Sequence, residues 1–385
     1  MFDMQVPFYR HSLAPENSKY VAQVLETPFL TSGPIGKEVE AQLSEYFGVK
    51  HAKLVNSWTN GAVATLLALD IGPGDEVIVP AMTFIATANV VELVGAKPIF
   101  IDCDPNTLLI TPELIKAAIT EKTKAIIPVH MYGQMCDIKA IKEIIPSGQK
   151  IAIIEDCAHS FEAKFNGERP GKYSDAAIFS FYATKNVTCG EGGAIITNNS
   201  NLFGRITQSI LHGMSAGAAD RFKVGQYNHW GMDNLGTKAN LPDLLACFLP
   251  EQIKNIDNNL IAREKLAMNY ERALTNTKIK FPQILPQVIH ARHLFPIFVG
   301  SSSRDAALNK LGQLNIGVTV NYRSVISMKY YSKKYELSGS DFPISNNWGS
   351  GTLSIPMFLG ITEEEQDYVI NSLTNTIEKM IGDDK

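Results

Sequence analysis

The fold is decided by residues 150–198, which read KIAIIEDCAHSFEAKFNGERPGKYSDAAIFSFYATKNVTCGEGGAIITN. Three short runs in this stretch are continuously apolar, as strands covered on both faces are: KIAIIED (150–156), AAIFSF (176–181) and GAIITN (193–198). No helical pattern fits between these runs, so turns must connect them. The stretch therefore predicts the last strands of a sheet, with a hairpin-like insertion near its end.

Four similar runs precede this stretch: AKLVNS (52–57), DEVIVP (75–80), KPIFID (97–102) and KAIIPVH (124–130). The segments that separate the first five runs of the chain carry apolar residues at helical spacing: ATLLALDIG (64–72), FIATANVVELVGA (84–96), TPELIKAAI (111–119) and DIKAIKEII (137–145). In the third of these, Thr111 is a candidate N-cap and Pro112 suits the first helical position. Alternating strands and helices predict an α/β fold with a mostly parallel sheet flanked by helices.

The rest of the chain has a different pattern. Residues 243–274 predict one long helix, or two joined at Pro250. Beyond them, short strands are predicted at HLFPIFV (293–299) and GVTVNYR (317–323), and helices at 303–314 and 362–380. We therefore expect a large α/β domain over residues 1–250, including an N-terminal arm, and a small C-terminal α+β domain over residues 251–385.

Composition and missing motifs exclude several classes of protein. The chain has 385 residues, 35 of them Lys or Arg and 39 Asp or Glu, and this net charge of −4 argues against a nucleic-acid binder. No apolar run approaches the roughly 20 residues of a membrane span, and the N-terminus lacks the layout of a secretory signal. The five cysteines are scattered and never spaced as CxxC, so we expect a cytoplasmic protein without a disulfide framework. GxGxxG, GxxxxGK[ST] and HExxH do not occur, which argues against a dinucleotide-binding dehydrogenase, a P-loop enzyme and a catalytic metal.

Four segments carry residues suited to chemistry at one edge of the predicted sheet. IIEDCAH (153–159) ends a strand in Glu155–Asp156, where open α/β sheets bind ligands, although a strand-end Asp also caps turns. Lys185 lies among small and apolar residues before a glycine-rich turn. If it is desolvated there, its pKa is lowered and its amine is nucleophilic. The alternative is a solvated lysine in a loop. A polar turn with Ser57 and Thr59 opens a helix and offers an anion site. Phe84 follows another strand and is either a lid over a flat ligand or a core residue.

Together these segments offer an amine, a carboxylate, an anion cradle and an aromatic ring. Pyridoxal 5′-phosphate needs all four: an amine for its aldehyde, an acid for its ring nitrogen, a phosphate site and a cover for its ring. The sequence therefore predicts a pyridoxal-phosphate enzyme.

The same segments carry a family resemblance. NSWTNGA (56–62), GDEVIVPAMTFIATAN (74–89), KPIFIDCD (97–104), HMYGQ (130–134), IIEDCAHS (153–160), SFYATKN (180–186) and CGEGGAI (189–195) resemble, in that order, the DegT/DnrJ/StrS sugar aminotransferases. The resemblance extends from TSGPIGKEVE (31–40) to SIPMF (354–358). It implies a fold-type-I pyridoxal-phosphate transferase, a homodimer with shared active sites, that aminates nucleotide-linked keto-sugars. The lysine segment SFYATKNVTC is most similar to members that make UDP-4-amino-4-deoxy-L-arabinose.

The resemblance also implies roles for individual residues. Lys185 would be the amine joined to the cofactor and the proton shuttle, and Asp156 would keep the pyridine nitrogen protonated. The other implied cofactor contacts are Phe84 on the ring, His159 beside the 3-hydroxyl, Thr59, Asn60 and Ser180 on the phosphate, and Asn240 on the phosphate of the neighbouring subunit. The lysine is intact, which argues against the related dehydratases, where His replaces it.

The implied reaction transfers the amino group of L-glutamate, which leaves as 2-oxoglutarate, to a nucleotide-linked keto-deoxysugar at C4. Such reactions supply bacterial cell-surface polysaccharides, including lipopolysaccharide and O-antigen, and other glycoconjugates. Five positions depart from the common family pattern: Trp58, Asn60, Ala239, Asn321 and Ile326. The alternatives are amination at C3, amination of a non-nucleotide keto-sugar or cyclitol, and a non-catalytic sugar-sensing protein on the same fold.

Overall fold

The computed structural model describes residues 4–215, 222–223, 226–227 and 229–381. Within these residues a central sheet of seven strands has the order β1-β8-β7-β5-β4-β2-β3. All seven apolar runs of the sequence form its strands, so the predicted α/β class is confirmed. The strands, with the separate short strand β6, are β1 (His51–Val55), β2 (Glu76–Pro80), β3 (Lys97–Ile101), β4 (Thr123–Ile126), β5 (Ala152–Asp156), β6 (Lys164–Phe165), β7 (Ala176–Ser180) and β8 (Gly193–Thr197).

The sheet is parallel from β3 through β2, β4 and β5 to β7. β8 runs antiparallel to both β7 and β1. Parallel strands need a long crossover connection, whereas the segment between β7 and β8 contains only turns, so β8 returns beside β7 as a hairpin. The predicted hairpin-like end of the sheet is confirmed.

Helices cover both faces of the sheet. The helices of this half are α1 (Ser18–Leu25), α2 (Pro34–Phe47), α3 (Trp58–Ala68), α4 (Ala86–Leu93), α5 (Pro112–Ala118), α6 (Ile138–Glu143) and α7 (Ser200–Ser209). Residues of α3, α4 and α7 share one core with Ile178 and Ile195, while α2 packs on Phe179 and Ile196 from the other face. Thr111 caps α5 as predicted, because its side chain accepts a hydrogen bond from the N–H of Leu114.

The second half of the chain contains the helices α8 (Asp243–Ala246), α9 (Leu249–Lys254), α10 (Ile256–Leu274), α11 (Arg304–Gln313), α12 (Lys329–Lys334), α13 (Pro343–Gly351) and α14 (Glu363–Ser372). Its strands are β9 (Phe222–Lys223), β10 (Gln226–Tyr227), β11 (Val288–Ile289), β12 (Phe295–Phe298) and β13 (Thr352–Ile355). β9 pairs with β10, β11 with β6, and β12 with β13, all antiparallel. Among the described residues, no helix has both the length and the apolar character to cross a membrane.

Two sequence predictions for this half are wrong. Residues 243–274 form three helices, because α9 begins anew at Leu249, with Pro250 in its first turn, and Asn255 leaves helical geometry with φ −98° and ψ 4°. The segment 317–323 forms no strand beyond a single bridge between Thr319 and Ser354. The carbonyl of Asn321 accepts a hydrogen bond from the hydroxyl of Tyr132 instead, so this segment is tied to the large sheet's side of the molecule.

A core of its own unites α10, α11, β12, β13 and α14 around Tyr270 and Leu311. Val325 and Tyr331, which also lie beyond residue 250, pack instead into the core of α3 and α4. The division into domains at residue 250 therefore stays a prediction.

Candidate active site

A cavity of about 490 Å³ opens at the carboxyl edge of the sheet. This volume lies within the range of about 300–1,000 Å³ that is typical of small-molecule sites. Six of the eight predicted site residues line it: Thr59, Phe84, Asp156, His159, Ser180 and Lys185. Asn60 and Asn240 do not. The topology explains the gathering, because β5 and β7 end at the same edge of a parallel sheet.

Lys185 lies in the turn between β7 and β8, where its N–H donates to the carbonyl of Tyr182. Its amine is 3.5 Å from Nε2 of His293. Burial lowers the pKa of Lys185 to about 8, against the opposing influence of the Asp156 carboxylate. About a tenth of this amine is therefore uncharged, and thus nucleophilic, at pH 7, far more than for an ordinary lysine.

Asp156 ends β5, and its side chain is 6% exposed. Its carboxylate accepts hydrogen bonds from the hydroxyl of Thr87 at 3.0 Å and from the N–H of Ala158 at 3.1 Å. The second contact shows that Asp156 does cap the next turn, as the structural alternative predicted. Burial raises the pKa of Asp156 to about 6, and these two donors are neutral. The site therefore suits a ligand that brings a positively charged N–H to this carboxylate.

His159 forms part of the cavity wall. Its Nδ1 accepts a hydrogen bond from the N–H of Tyr132 at 3.2 Å, and its Nε2 lies 3.1 Å from the hydroxyl of Tyr322. Burial lowers the pKa of His159 well below its usual range. The ring is therefore neutral with its proton on Nε2, and it donates to Tyr322.

The anion cradle begins at Ser57, whose side chain caps α3 by accepting a hydrogen bond from the N–H of Asn60. The positive end of α3 thus meets the cavity wall at Thr59, with Ser180 also in that wall. Gly193 permits this arrangement, because a Cβ there would lie 2.5 Å from the carbonyl of Phe179. The side chain of Asn60 is occupied elsewhere, since its amide donates to Asn56 at 2.8 Å.

Asn240 is outside the cavity of its own chain. Its amide donates to Ser32 at 2.8 Å and to Thr31 at 3.2 Å, and its oxygen accepts from Lys238. Phe84 is 53% exposed on the rim, with its ring centre 5.5 Å from that of Tyr322.

Two polar atoms beside the cavity have no hydrogen-bond partner among the described residues: Nε1 of Trp58 and Oδ1 of Asn321. Both residues line the cavity and both depart from the family pattern. Buried polar atoms are rarely left unpaired, so they are candidates to bind a polar ligand. The other three departures, Asn60, Ala239 and Ile326, do not line the cavity, and the last two are buried in the core.

A second polar cluster lies beside the site. Ligand atoms of His130, Glu155 and Cys157 lie within 4.8 Å of one another. Glu155 already accepts hydrogen bonds from His130, from the N–H of Gly171 and from Ser174. Its oxygens are thus used within the protein, and we interpret the cluster as structural.

Sequence analysis missed Thr87, His293 and Tyr322, which line the cavity and contact the predicted residues Asp156, Lys185 and His159, respectively. His293 belongs to HARHLFP (290–296), where five basic or apolar residues precede the buried strand β12, and Tyr322 lay in a predicted strand. The concentration of His and Arg before an apolar run was a usable signal for His293. Nothing local marks Thr87 or Tyr322.

Comparison with known proteins gives a consistent result. The sequence matches the DegT/DnrJ/EryC1/StrS aminotransferase family over residues 11–374. The putative sugar aminotransferase Spr1654 from Streptococcus pneumoniae, in its PMP form, is similar with a TM-score of 0.91 and 27% identity, over 97% of this chain and 100% of that one. DesV from S. venezuelae is similar with a TM-score of 0.88 and 29% identity, over 97% of this chain and 99% of that one. An aminotransferase from Brucella abortus is similar with a TM-score of 0.83 and 30% identity, over 95% of each chain.

Proposed function

The chain belongs to the DegT/DnrJ/EryC1/StrS aminotransferase family, and from this premise we propose that it transfers the amino group of L-glutamate to a nucleotide-linked keto-deoxysugar at C4. Its class is a pyridoxal-phosphate-dependent sugar aminotransferase. The observation that carries the proposal is that Lys185 and Asp156 face one cavity, with the start of α3 in its wall.

The residues present fit pyridoxal phosphate. Among the described residues Asp156 forms no salt bridge, Phe84 exposes its aromatic ring at the rim, and Trp58 and Asn321 hold unpaired polar atoms. When bound, this cofactor supplies an aldehyde that carries the amino group and a ring that withdraws electrons. Lys185 would hold it at the aldehyde, Asp156 at the ring nitrogen, His159 beside the 3-hydroxyl, and Thr59 and Ser180 at the phosphate.

Each residue then has a task that its surroundings support. Lys185, with a pKa of about 8, would move a proton between the amine-bearing carbon of the substrate and C4′ of the cofactor, because its amine gains and loses protons near working pH. Asp156 is ionised above a pKa of about 6 and keeps a proton on the ring nitrogen opposite. His159 is neutral and oriented by Tyr132, so it contributes a ring of fixed position.

Covalent attachment at Lys185 is the first test. Reduction of cofactor-saturated protein with borohydride, followed by peptide mapping, should place the label on Lys185. An unlabelled Lys185 contradicts the proposal. An absorbance near ~420 nm that glutamate bleaches separates the enzyme from a sugar-sensing protein on the same fold, which would be colourless and inert.

The acceptor is tested with a panel of UDP-, dTDP- and GDP-linked keto-sugars. We expect 4-keto-deoxysugars to be aminated, because the lysine segment SFYATKNVTC resembles that of 4-amino-pentose synthesis. If turnover occurs only with 3-keto-sugars, or only with cyclitols or free keto-sugars, the proposed acceptor is wrong and that compound class is the substrate instead. We place the pathway in bacterial cell-surface polysaccharide or glycoconjugate synthesis and the enzyme in the cytoplasm, where its five free cysteines suit a reducing environment.

We further propose a homodimer in which Asn240 serves the neighbouring subunit's site. Asn240 does not line its own cavity, and it is anchored to Thr31 and Ser32 beside the exposed apolar side chains Phe29 and Leu30, which are 42% and 49% exposed. An apolar surface of this kind is typical of a subunit interface.

Subunit complementation tests this arrangement. Lys185→Ala and Asn240→Ala homodimers are each expected to be weak or inactive. If Asn240 acts across the interface, a mixed dimer contains one fully intact site, so mixing the two variants restores activity. If mixing restores nothing although the subunits exchange, Asn240 does not act in this way.

A further inference from the structure

A continuous series of contacts leads from Arg263 to the amine of Lys185. Arg263 pairs with Glu162, and both side chains are at least 97% buried. The Glu162 carboxylate accepts hydrogen bonds from Nδ2 of Asn186 at 3.0 and 3.2 Å. Oδ1 of Asn186 lies 3.1 Å from Nδ1 of His293, and Nε2 of His293 lies 3.5 Å from the Lys185 amine.

The direction of these hydrogen bonds follows from one backbone group. Nδ2 of Asn186 also donates to the carbonyl of Ala291 at 2.9 Å. A carbonyl oxygen only accepts, so the amide nitrogen must be the end of Asn186 that lies there. The amide oxygen is then the end that faces His293, and since it too only accepts, Nδ1 of His293 must carry a proton.

The second ring nitrogen of His293 is therefore free to accept. Burial lowers the pKa of His293 well below its usual range, and the charges of Lys185 and Arg263 act in the same direction. His290 and the ring of His159, whose centre is 4.6 Å away, complete its titratable surroundings. With a single proton on Nδ1, His293 presents the lone pair of Nε2 to the Lys185 amine. A separation of 3.5 Å is long, as such contacts often are without substrate.

We propose that His293 is a further catalytic residue, whose Nε2 accepts a hydrogen bond from the Lys185 amine, and that Asn186 is a positioning residue that fixes its tautomer. One N–H of the amine is then directed to His293 in the cavity wall, which leaves the amine's lone pair available to a ligand. The same acceptor stabilises the ammonium form whenever Lys185 holds a proton. Glu162 and Arg263 act one step further back, by holding the amide of Asn186.

The inference rests on the role proposed above for Lys185, but it is testable on the protein without cofactor. Trace acetylation with acetic anhydride between pH 6 and 10, quantified on the peptide of Lys185, measures the pKa of the amine. His293→Gln and His293→Asn form a matched pair, because the Gln amide reaches the position of Nε2 whereas the Asn amide reaches only that of Nδ1.

We expect His293→Asn to lower the pKa of Lys185 by about 0.5 to 1 pH unit, because the ammonium loses more than the neutral amine when its acceptor is removed. His293→Gln should keep the pKa close to that of the unmodified protein. His51→Gln is the control. His51 lies on β1 and is hydrogen-bonded to Ser200, so this substitution should leave the pKa of Lys185 unchanged. Equal pKa values in both His293 variants and in the control would overturn the proposal.

The tautomer has its own readout. In ¹⁵N-histidine-labelled protein without cofactor, the His293 signals are those lost in either His293 variant, and they should show Nδ1 protonated at pH 7.5. Asn186→Leu should shift protonation to Nε2 and lower the acetylation rate of Lys185 above pH 9 by several-fold, since the ring would then donate to the amine's lone pair. Protonation of Nε2 in the unmodified protein would overturn the proposal. Failure of borohydride labelling, by contrast, would remove the role of Lys185 and leave these measurements unaffected.

Discussion

Glu155 and Asp156 are neighbours on β5, but their carboxylates point to opposite faces of the sheet and meet opposite conditions. Glu155 is 1% exposed and accepts hydrogen bonds from His130, Gly171 and Ser174. Within the part of the chain that the structure describes, Asp156 accepts only from Thr87 and Ala158, and it faces the cavity. The protein's own donors satisfy the carboxylate of Glu155, whereas the carboxylate of Asp156 can still accept a hydrogen bond from a ligand.

The difference teaches how to separate a structural carboxylate from a functional one when the sequence pairs them. Both are buried, so burial alone does not distinguish them. What distinguishes them is whether the surrounding donors already satisfy the charge. Asp156 is not satisfied, and burial raises its pKa to about 6. The unfavourable free energy of this incompletely paired carboxylate is offset when a cationic ligand binds beside it.

Removing the amine on the cavity side should have the largest effect. Lys185→Ala is expected to lower aminotransferase activity by at least about 1,000-fold, because both the attachment of the cofactor and the proton transfer are lost. Steady-state turnover with glutamate and a keto-sugar measures this. Lys172→Ala, at an exposed lysine paired with Glu168, is the control and should keep normal activity. A Lys185→Ala enzyme with more than a tenth of normal turnover would remove the mechanism.

Substitutions at the two carboxylates should change stability in opposite directions. Glu155→Gln places an amide N–H₂ among donors, so the free energy of unfolding should fall by about 2–4 kcal/mol. Asp156→Asn should raise it by about 1–3 kcal/mol at pH 8 in the protein without cofactor, while activity is largely lost. Urea unfolding at one fixed protein concentration measures both. Equal destabilisation by the two substitutions would show that the carboxylates do not differ as described.

The gain from Asp156→Asn should also depend on pH. The folded-state pKa of Asp156, about 6, is above the ordinary value of 3.8, so folding favours the protonated form. The unmodified protein therefore loses stability, relative to Asp156→Asn, as the pH rises through about 4 to 6. The difference should be complete at pH 8 and nearly absent at pH 4. Unfolding curves at both values test this, and a difference that grows on acidification would contradict it.

The smallest effect is expected at the rim. Phe84→Leu should weaken cofactor affinity about 3- to 10-fold, the value of an aromatic contact of about 0.5–1.5 kcal/mol. Fluorescence titration of the cofactor-free protein gives the dissociation constant. Tyr330→Leu, at an aromatic residue that is 58% exposed and outside the cavity, is the control. No change at Phe84 would show that its ring does not cover the cofactor.

The sheet and the centre of the site were predictable because both depend on local patterns. Continuous apolar runs mark buried parallel strands, and the carboxyl ends of β5 and β7 bring Asp156 and Lys185 to one edge. The motif order then led to the family. The residue roles that the resemblance adds stay proposals.

What could not be predicted depends on distant segments. Residues 317–323 alternate like a strand, but Asn321 is bound by Tyr132, almost 200 positions earlier. Helical periodicity does not register the short break at Asn255, because apolar spacing resumes one turn later. The tautomer of His293 is decided by Asn186 and the carbonyl of Ala291, a combination that no local pattern shows.

The sheet order has a consequence for how the chain is made. β1 is the first strand of the central sheet to leave the ribosome, but its neighbour in the sheet is β8, and roughly 140 residues separate them. At translation rates of about 5–20 residues per second, β1 waits roughly 7–30 s for that neighbour. Nascent chains halted before residue 193 therefore expose an unpaired strand edge, and that interval is when a chaperone has most to protect.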